Sequence, residues 1–170
     1  MKKVSFAEMR CSMARALDKI GDWWTPLIVR DVYLGVNRFD DLVEDLGISR
    51  NLLTARLASL VEGGILTRRA YQERPVRYAY ELTDMGLDLV PVLLALTAWG
   101  DRWVAPAQGK PMLMRHKKCG HHFRPVVTCP VCEDPVRAVD VKIEPGPGGA
   151  FAPGTMVVAK RLVAAAKQPG

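Results

Sequence analysis

Three of the four cysteines and all three histidines of this 170-residue chain lie within one short C-terminal stretch. Thiolate and imidazole are side chains that zinc prefers in proteins, and two ligand pairs on neighbouring turns can surround one tetrahedral ion. Cys129 and Cys132, spaced as C-x-x-C, form one predicted pair, and Cys119 with either His121 or His122 forms the other. The spacing therefore predicts a structural Zn²⁺ site in a small zinc-ribbon-like hairpin.

A hairpin without metal is the alternative for this stretch, with Phe123, Val126 and Val127 packed on the main domain. A catalytic zinc would need an open coordination position and a general base, and no residues with those roles accompany the cluster. The chain also has no glycine-rich phosphate loop and no pair of carboxylates that can be placed in one site. We therefore expect no enzymatic activity.

A capped amphipathic helix is predicted upstream of this cluster. Ser49 is a good N-cap because its hydroxyl can accept a bond from a free N–H of the first turn. Ile48 and Leu53 flank the cap with the spacing of a hydrophobic staple, and Gly63-Gly64 can end the helix after Glu62. Because a short helix and a tight turn precede it, residues 40–62 predict a helix-turn-helix.

The outward face of that helix is small and hydrogen-bonding. It carries Ser49, Arg50, Asn51, Thr54, Ala55 and Ser59, whereas three leucines form the opposite face. A major groove admits one helix of this kind, and such side chains allow a close approach to base edges. We predict double-stranded DNA contact for this face, with a merely solvated surface as the alternative.

A basic hairpin is predicted directly after the helix. Residues 65–71 and 77–82 have the composition of strands, and residues 72–76 join them. Its cationic side chains suit the phosphate backbone or a minor groove, and they are Arg68, Arg69, Arg74 and Arg77. This hairpin has the position and charge of the wing of a winged helix.

The charge balance is local to the same unit. Residues 46–80 contain six arginines and two acids, whereas residues 11–45 contain four bases and seven acids. The overall net charge of +6 has a different origin, since residues 1–105 balance at 14 bases and 14 acids. The local excess, and not the total, therefore supports a nucleic-acid surface.

Amphipathic helices flank the winged unit on both sides. The upstream pattern includes Met13 and Leu17, and a long helix that Thr83 can cap carries Leu89, Val92, Leu96, Trp99 and Trp103. An intramolecular core could use these residues. However, a winged domain already has a core, so the surplus apolar stripe predicts a homodimer seam and a roughly palindromic operator.

Length and composition allow one ordinary domain with a small appendage. No apolar run approaches the roughly 20 residues that span a bilayer, so we expect no membrane association and a cytoplasmic, nucleoid-associated location. The predicted organisation is a DNA-binding and dimerisation domain at 1–105, the cysteine-rich hairpin at 106–142, and a flexible Pro/Gly linker with a basic tail at 143–170. The predicted fold class is α+β, mainly α.

The stretch CSMARALDKIGDWWTPLIVR at 11–30 resembles the opening of HxlR-type winged helix-turn-helix regulators, within the MarR-like superfamily. Similar segments continue at 38–42, 48–57 and 71–83, and again in the last helix around Gly86, Leu89–Leu93 and Ala98–Gly100. The resemblance covers about residues 10–103. It implies a dimeric transcriptional regulator, commonly a repressor, whose outer helices form the dimer.

Some proteins of that family sense oxidants or reactive electrophiles through a cysteine near the start of the first helix, and Cys11 stands at that position. A thiol near a helix N-terminus and close to Arg10 and Arg15 is expected to react as a thiolate. A small apolar packing residue is the alternative role of Cys11. A small-molecule or oxidant effector is expected only if Cys11 acts as a sensor.

The alternative to DNA binding is a winged-helix module that docks on a protein partner and does not bind DNA.

Overall fold

Six α-helices and two short antiparallel hairpins make up the computed structural model, which describes residues 5–166. In chain order they are α1 (Ser12–Ile20), α2 (Thr25–Tyr33), α3 (Phe39–Leu46), α4 (Arg50–Glu62), β1 (Leu66–Glu73), β2 (Val76–Leu82), α5 (Asp84–Trp103), β3 (Met114–Arg115), β4 (His122–Phe123) and α6 (Met156–Ala166). The predicted mixed, mainly helical class is confirmed.

The chain divides into two compact units. One comprises residues Pro26–Val136, and the other comprises, among the described residues, 5–25 together with 137–166. The core of the first unit is aliphatic and consists of Ile28, Val29, Val32, Leu42, Ile48, Leu53, Leu57, Leu60, Ile65, Leu66 and Val90. Helices α2, α3 and α4 therefore share one hydrophobic core with the base of the β1–β2 hairpin.

Helix α4 starts as the sequence predicts. The Ser49 hydroxyl oxygen accepts a hydrogen bond from the Leu52 N–H at 3.4 Å, and Ile48 before the cap is buried. The helix ends at Glu62, and Gly64 takes the left-handed conformation, with φ of 75°, that redirects the chain into the hairpin.

The hairpin is tighter than predicted. Residues 72–76 were expected to be a loop, but Gln72 pairs with Arg77 and Glu73 pairs with Val76, so the turn shrinks to Arg74 and Pro75, joined by a cis peptide bond. An irregularity in the register at Tyr71 lets the ladder continue beyond the predicted end of β1. The ladder hydrogen bonds thus override the turn propensity of this segment.

A further strand-like pairing supports the hairpin from the other side. Arg38 forms an isolated antiparallel bridge with Ala79, and the Tyr80 N–H donates to the Asn37 carbonyl oxygen at 2.8 Å. The segment before α3 therefore lies along β2. Neither the hydrophobic pattern nor the residue types at Asn37 and Arg38 predicted that this segment pairs with β2.

Helix α5 begins with the predicted Thr83 cap, whose side-chain oxygen accepts from the Gly86 N–H at 3.2 Å. Pro91 lies inside the helix, and Gly86 and Val90 are its buried residues. Most of the apolar side chains of α5 are therefore not used by the core of this unit.

The second unit contains α1 and α6, and neither helix has a buried residue. Helix α1 has Cys11 at its N-cap position, and its Asp18 carboxylate accepts from the Phe6 N–H at 3.0 Å. Residues 156–166 of the predicted tail are helical, whereas residues 167–170, the end of that tail, lie outside the described residues. No helix within residues 5–166 is both long enough and apolar enough to cross a membrane.

Candidate nucleic-acid interface

The polar face of α4 is exposed along its whole length. Leu53, Leu57 and Leu60 are buried on the opposite side, and this places the predicted contact residues Ser49, Arg50, Asn51, Thr54, Ala55 and Ser59 at the surface. The Thr54 hydroxyl donates to the Arg50 carbonyl oxygen at 2.9 Å, so as placed it can only accept a further bond. Asn51, whose side-chain amide can both donate and accept a hydrogen bond, is then the residue best suited to contact a base edge.

Arg50 is held at the N-terminal end of this face by α3. Its guanidinium donates to the Asp40 carboxylate at 2.8 Å and lies 4.9 Å from the centre of the Phe39 ring. Both partners of the ion pair are more than half exposed. Because exposed ion pairs are weak, Arg50 can exchange Asp40 for a phosphate at little cost.

The four predicted wing arginines are all exposed, which places positive charge along both strands and at the turn. Arg68 stacks 4.8 Å above the Tyr78 ring, and Arg69 lies 3.9 Å from the Glu81 carboxylate. Arg74 occupies the turn and Arg77 the start of β2. The wing therefore presents cations beside α4, as its sequence predicts.

Arg38 was not among the predicted contact residues. It is exposed, and its guanidinium lies 4.5 Å from the centre of the Tyr71 ring on the wing. The sequence did not indicate a DNA-contact role for Arg38, because this residue lies in the acidic stretch 11–45. The bridge to Ala79 brings Arg38 to the basic surface.

An open cleft of about 360 Å³ separates the start of α4 from the wing. Its walls combine aromatic rings with charged groups, namely Phe39, Asp40, Arg50, Tyr71, Pro75, Val76, Arg77, Tyr78 and Tyr80. Arg50 of α4 and Arg77 of the wing both line the cleft, so the helix face and the basic hairpin border the same surface.

The predicted dimer residues lie outside the core. In α5, Leu89 is half-buried, and four further side chains are each more than half exposed, namely Val92, Leu96, Trp99 and Trp103. Met13 and Leu17 on α1 are also exposed. Such a row of large apolar groups exceeds what a monomer normally leaves in water.

The cysteine-rich segment forms two turns. The His116 Nδ1 atom lies 3.2 Å from the Cys119 Sγ atom, and all three histidines of the segment are exposed. Backbone N–H groups of Cys132 and Val131 point to the Cys129 sulfur and lower the pKa of that thiol. Among residues 5–166 no three His, Cys, Asp or Glu side chains converge as a metal site, so the predicted zinc site stays a prediction.

A polar helix beside a basic hairpin, both mounted on a small helical core, defines a winged helix of the DNA-binding class. The model of the HxlR-like helix-turn-helix family matches residues 19–108, and the chain belongs to that family. The predicted family is therefore confirmed. The family and its named relatives are transcription regulators, which also confirms that the chain is not an enzyme.

The HTH-type transcriptional regulator Rv3095 of Mycobacterium tuberculosis is 42% identical over 137 residues, which cover 81% of this chain and 87% of that protein. The crystal structure of PA1607, a candidate transcription factor, matches with a TM-score of 0.74 and 33% identity, and covers 83% of this chain and 99% of that one. The redox regulator HypR in its reduced form matches with a TM-score of 0.50 and 30% identity over 53% of this chain and 90% of that one.

Proposed function

We propose that this transcriptional regulator acts as a homodimer that binds a roughly palindromic operator in double-stranded DNA and represses transcription there. The observation that carries the proposal is the continuous exposed surface formed by α4, the cleft and the arginine-bearing wing. In this arrangement α4 enters the major groove, and the wing lies on the backbone or in the neighbouring minor groove.

Different parts of the surface have different roles in this proposal. Asn51 and Thr54 contact base edges, while Arg69 and Arg74 contact phosphates and supply affinity without sequence preference. Arg50 stands between the two groups, because it can contact either a phosphate or a guanine from the first turn of α4.

Two copies are needed for a palindromic site. The exposed apolar row on α5 provides a surface that a second copy would cover. Met13 and Leu17 on α1, in the other unit, are exposed as well and are separate candidates for such a contact. A two-fold dimer would place its two α4 helices one or two turns of DNA apart. Binding to such a site would place the protein at the nucleoid of the cytoplasm.

The test begins with selection of genomic fragments that bind the purified protein, followed by titration of one fragment and a scrambled control. Asn51→Ala should change the preferred sequence at one or two positions, each worth about 1–3 kcal/mol. Arg74→Ala should weaken binding to all sequences and reduce the salt slope by about 1. Lys142→Ala, a cation of the other unit that pairs with Glu144, is the matched control and should change neither.

Unchanged affinity and unchanged sequence preference in both variants would contradict DNA binding by this surface. Capture of a protein partner that Arg74→Ala abolishes, with no bound DNA fragment, would favour the rival function of a docking module.

Redox control through Cys11 is a second, finer proposal. Cys11 is half-buried at the N-cap position of α1, and HypR, a redox regulator by name, is a structural neighbour. A peroxide would oxidise the Cys11 thiol to a sulfenic acid, with cleavage and reduction of its own O–O bond. The added oxygen would place a more polar group at the N-terminal end of the amphipathic helix that carries Met13 and Leu17 and would thereby release the operator. Operator binding before and after mild oxidation is compared in the native protein and in Cys11→Ser. An identical response of the two proteins would leave Cys11 with a packing role only.

A further inference from the structure

Two turns in the cysteine-rich segment have the same backbone design. In the first, the His116 N–H donates to the His121 carbonyl oxygen at 2.9 Å, and the Gly120 N–H donates to the His116 carbonyl oxygen at 2.8 Å. Gly120 takes a left-handed conformation with φ of 73°. This turn connects β3 to β4 and places Cys119 three residues after His116.

The second turn repeats each of these features. The Cys129 N–H donates to the Asp134 carbonyl oxygen at 3.0 Å, and the Glu133 N–H donates to the Cys129 carbonyl oxygen at 2.8 Å. Glu133 is left-handed with φ of 61°, although it is not a glycine. The flanking residues pair as well, through the bridge between Thr128 and Pro135. Bond for bond, His116 is therefore the counterpart of Cys129, and Cys119 is the counterpart of Cys132.

From this equivalence we propose that the segment is a four-ligand zinc site in which His116, Cys119, Cys129 and Cys132 bind one Zn²⁺. His116 thus takes the ligand position for which the sequence predicted His121 or His122, and the zinc site does not depend on DNA binding. Each turn supplies two ligands three residues apart, which is the spacing of zinc knuckles.

The side chains of each turn agree with this assignment. His116 Nδ1 and Cys119 Sγ lie 3.2 Å apart, close enough for both to contact one ion. In the second turn, backbone N–H groups of Val131 and Cys132 are directed at the Cys129 sulfur. Such bonds stabilise a thiolate that is bound to metal.

The other two histidines occupy positions that hold neither a cysteine nor a histidine in the second turn. His121 corresponds to Asp134 and His122 to Pro135, since they follow the turn at the same distance. The His121 backbone carbonyl closes the first turn, and His122 lies in β4 opposite Arg115. His116, in contrast, has its ring nitrogen 3.2 Å from the Cys119 sulfur.

Three thiolates and one imidazole form a donor set that zinc binds tetrahedrally. The two pairs are separate halves in this structure, since no three such side chains converge within residues 5–166. The ion would join them across the connection at 124–128. Nearly every residue between 107 and 149 is exposed and none is buried, so a metal would supply cohesion that this segment does not gain from a hydrophobic core.

The test uses the full chain, purified under reducing conditions and loaded with Zn²⁺ or with Co²⁺ as a spectroscopic probe. We expect one metal ion per chain by elemental analysis and a tetrahedral Co²⁺ spectrum with thiolate charge-transfer bands. His116→Ala should weaken Zn²⁺ binding at least about 100-fold, because loss of an outer-sphere partner already costs 10–100-fold in known sites. His121→Ala and His122→Ala are the matched controls and should bind as the native chain does.

His116→Cys keeps a ligand at the position and should retain Zn²⁺, while the added thiolate should strengthen the thiolate-to-Co²⁺ charge-transfer absorption. Helical circular dichroism is followed in every variant, so that loss of metal is separated from loss of the fold. Retention of Zn²⁺ by His116→Ala with loss in His121→Ala or His122→Ala would overturn the ligand assignment. Failure of the reduced native chain to bind either ion would overturn the site itself.

Discussion

The Thr83 hydroxyl donates to the Gly64 carbonyl oxygen at 2.6 Å and thereby joins the turn that follows α4 to the residue before α5. The same oxygen accepts from the Gly86 N–H, and the Thr83 N–H donates to the Ile65 carbonyl oxygen at 3.1 Å. One residue thus caps α5 and fixes it to the end of the candidate recognition helix. Through Thr83, the helix proposed to form the dimer is positioned relative to the helix proposed to read DNA.

Replacement of Thr83 by valine should lower the free energy of unfolding by about 1–2 kcal/mol, because it removes a cap and leaves the half-buried Gly64 carbonyl without its donor. Chemical denaturation at fixed protein concentration measures this change. Thr67→Val on the exposed side of β1 is the matched control and should shift stability by less than about 0.5 kcal/mol. Equal shifts in the two variants would remove the special role of the Thr83 hydroxyl.

Gly86 allows the close approach of α5 to the same junction. A Cβ atom at this position would collide with the Ile65 carbonyl oxygen and lie 3.0 Å from the Leu82 Cδ2 atom. Gly86→Ala should therefore destabilise the fold by about 1–3 kcal/mol, although alanine favours helices. Gly100→Ala in the same helix meets only the Val104 Cγ2 atom at 3.9 Å and should be neutral or stabilising by up to about 1 kcal/mol. Melting temperatures of the two variants that move in the same direction would contradict this account.

The sequence predicted those parts of the site that depend on local signals. The Ser49 cap, the leucine spacing of α4 and the arginines of the wing are all encoded within a few residues, and the structure has them where they were expected. Arg38 and His116 were not predicted as site residues, because their positions depend on backbone hydrogen bonds to other segments. The length of the hairpin was not predicted for the same reason. Glu73 pairs with Val76 although residues 72–76 have the composition of a loop.

Stability should fall as pH rises through the carboxyl titration of Asp31. This side chain is 2% exposed and bonds Arg30 at 2.6 Å. Burial raises its pKa above the ordinary 3.8, the Arg30 guanidinium opposes that shift, and the neighbouring Asp45 carboxylate adds to it. The folded state therefore holds the proton more tightly than the unfolded state. The stabilising contribution is complete below the ordinary pKa and is lost as pH rises through the raised one.

Asp31→Asn tests this dependence, since its amide does not titrate. Unfolding free energies measured from pH 4 to pH 8 should show a weaker decline for Asp31→Asn than for the native chain. Asp41→Asn leaves the Arg30, Asp31 and Asp45 cluster intact and should keep the native profile. A native decline that persists in Asp31→Asn would assign the pH dependence to other groups.

Release of Arg50 from Asp40 should strengthen DNA binding. Asp40 holds the guanidinium at 2.8 Å and also places a negative charge where a phosphate would approach. Asp40→Asn should raise affinity for a selected fragment about three- to tenfold, because the exposed pair contributes little and the repulsion is removed. Asp41→Asn on the same turn of α3 removes an equal charge without touching the Arg50 bond. If both variants gain equally, net charge and not Arg50 is responsible.

The apolar row of α5 should decide the oligomeric state. Leu96 and Trp99 are 55% and 57% exposed, so a charged side chain at either position meets water in the monomer but would lack a partner inside a dimer interface. Leu96→Glu and Trp99→Glu should therefore yield folded monomers at concentrations where the native chain is a dimer by light scattering. Both should also lose most affinity for a palindromic fragment, while a single half-site remains weakly bound. Val139→Glu introduces the same charge at an 84% exposed position outside this row and should stay dimeric. A native chain that is monomeric throughout, or glutamate variants that remain dimers, would place the seam elsewhere.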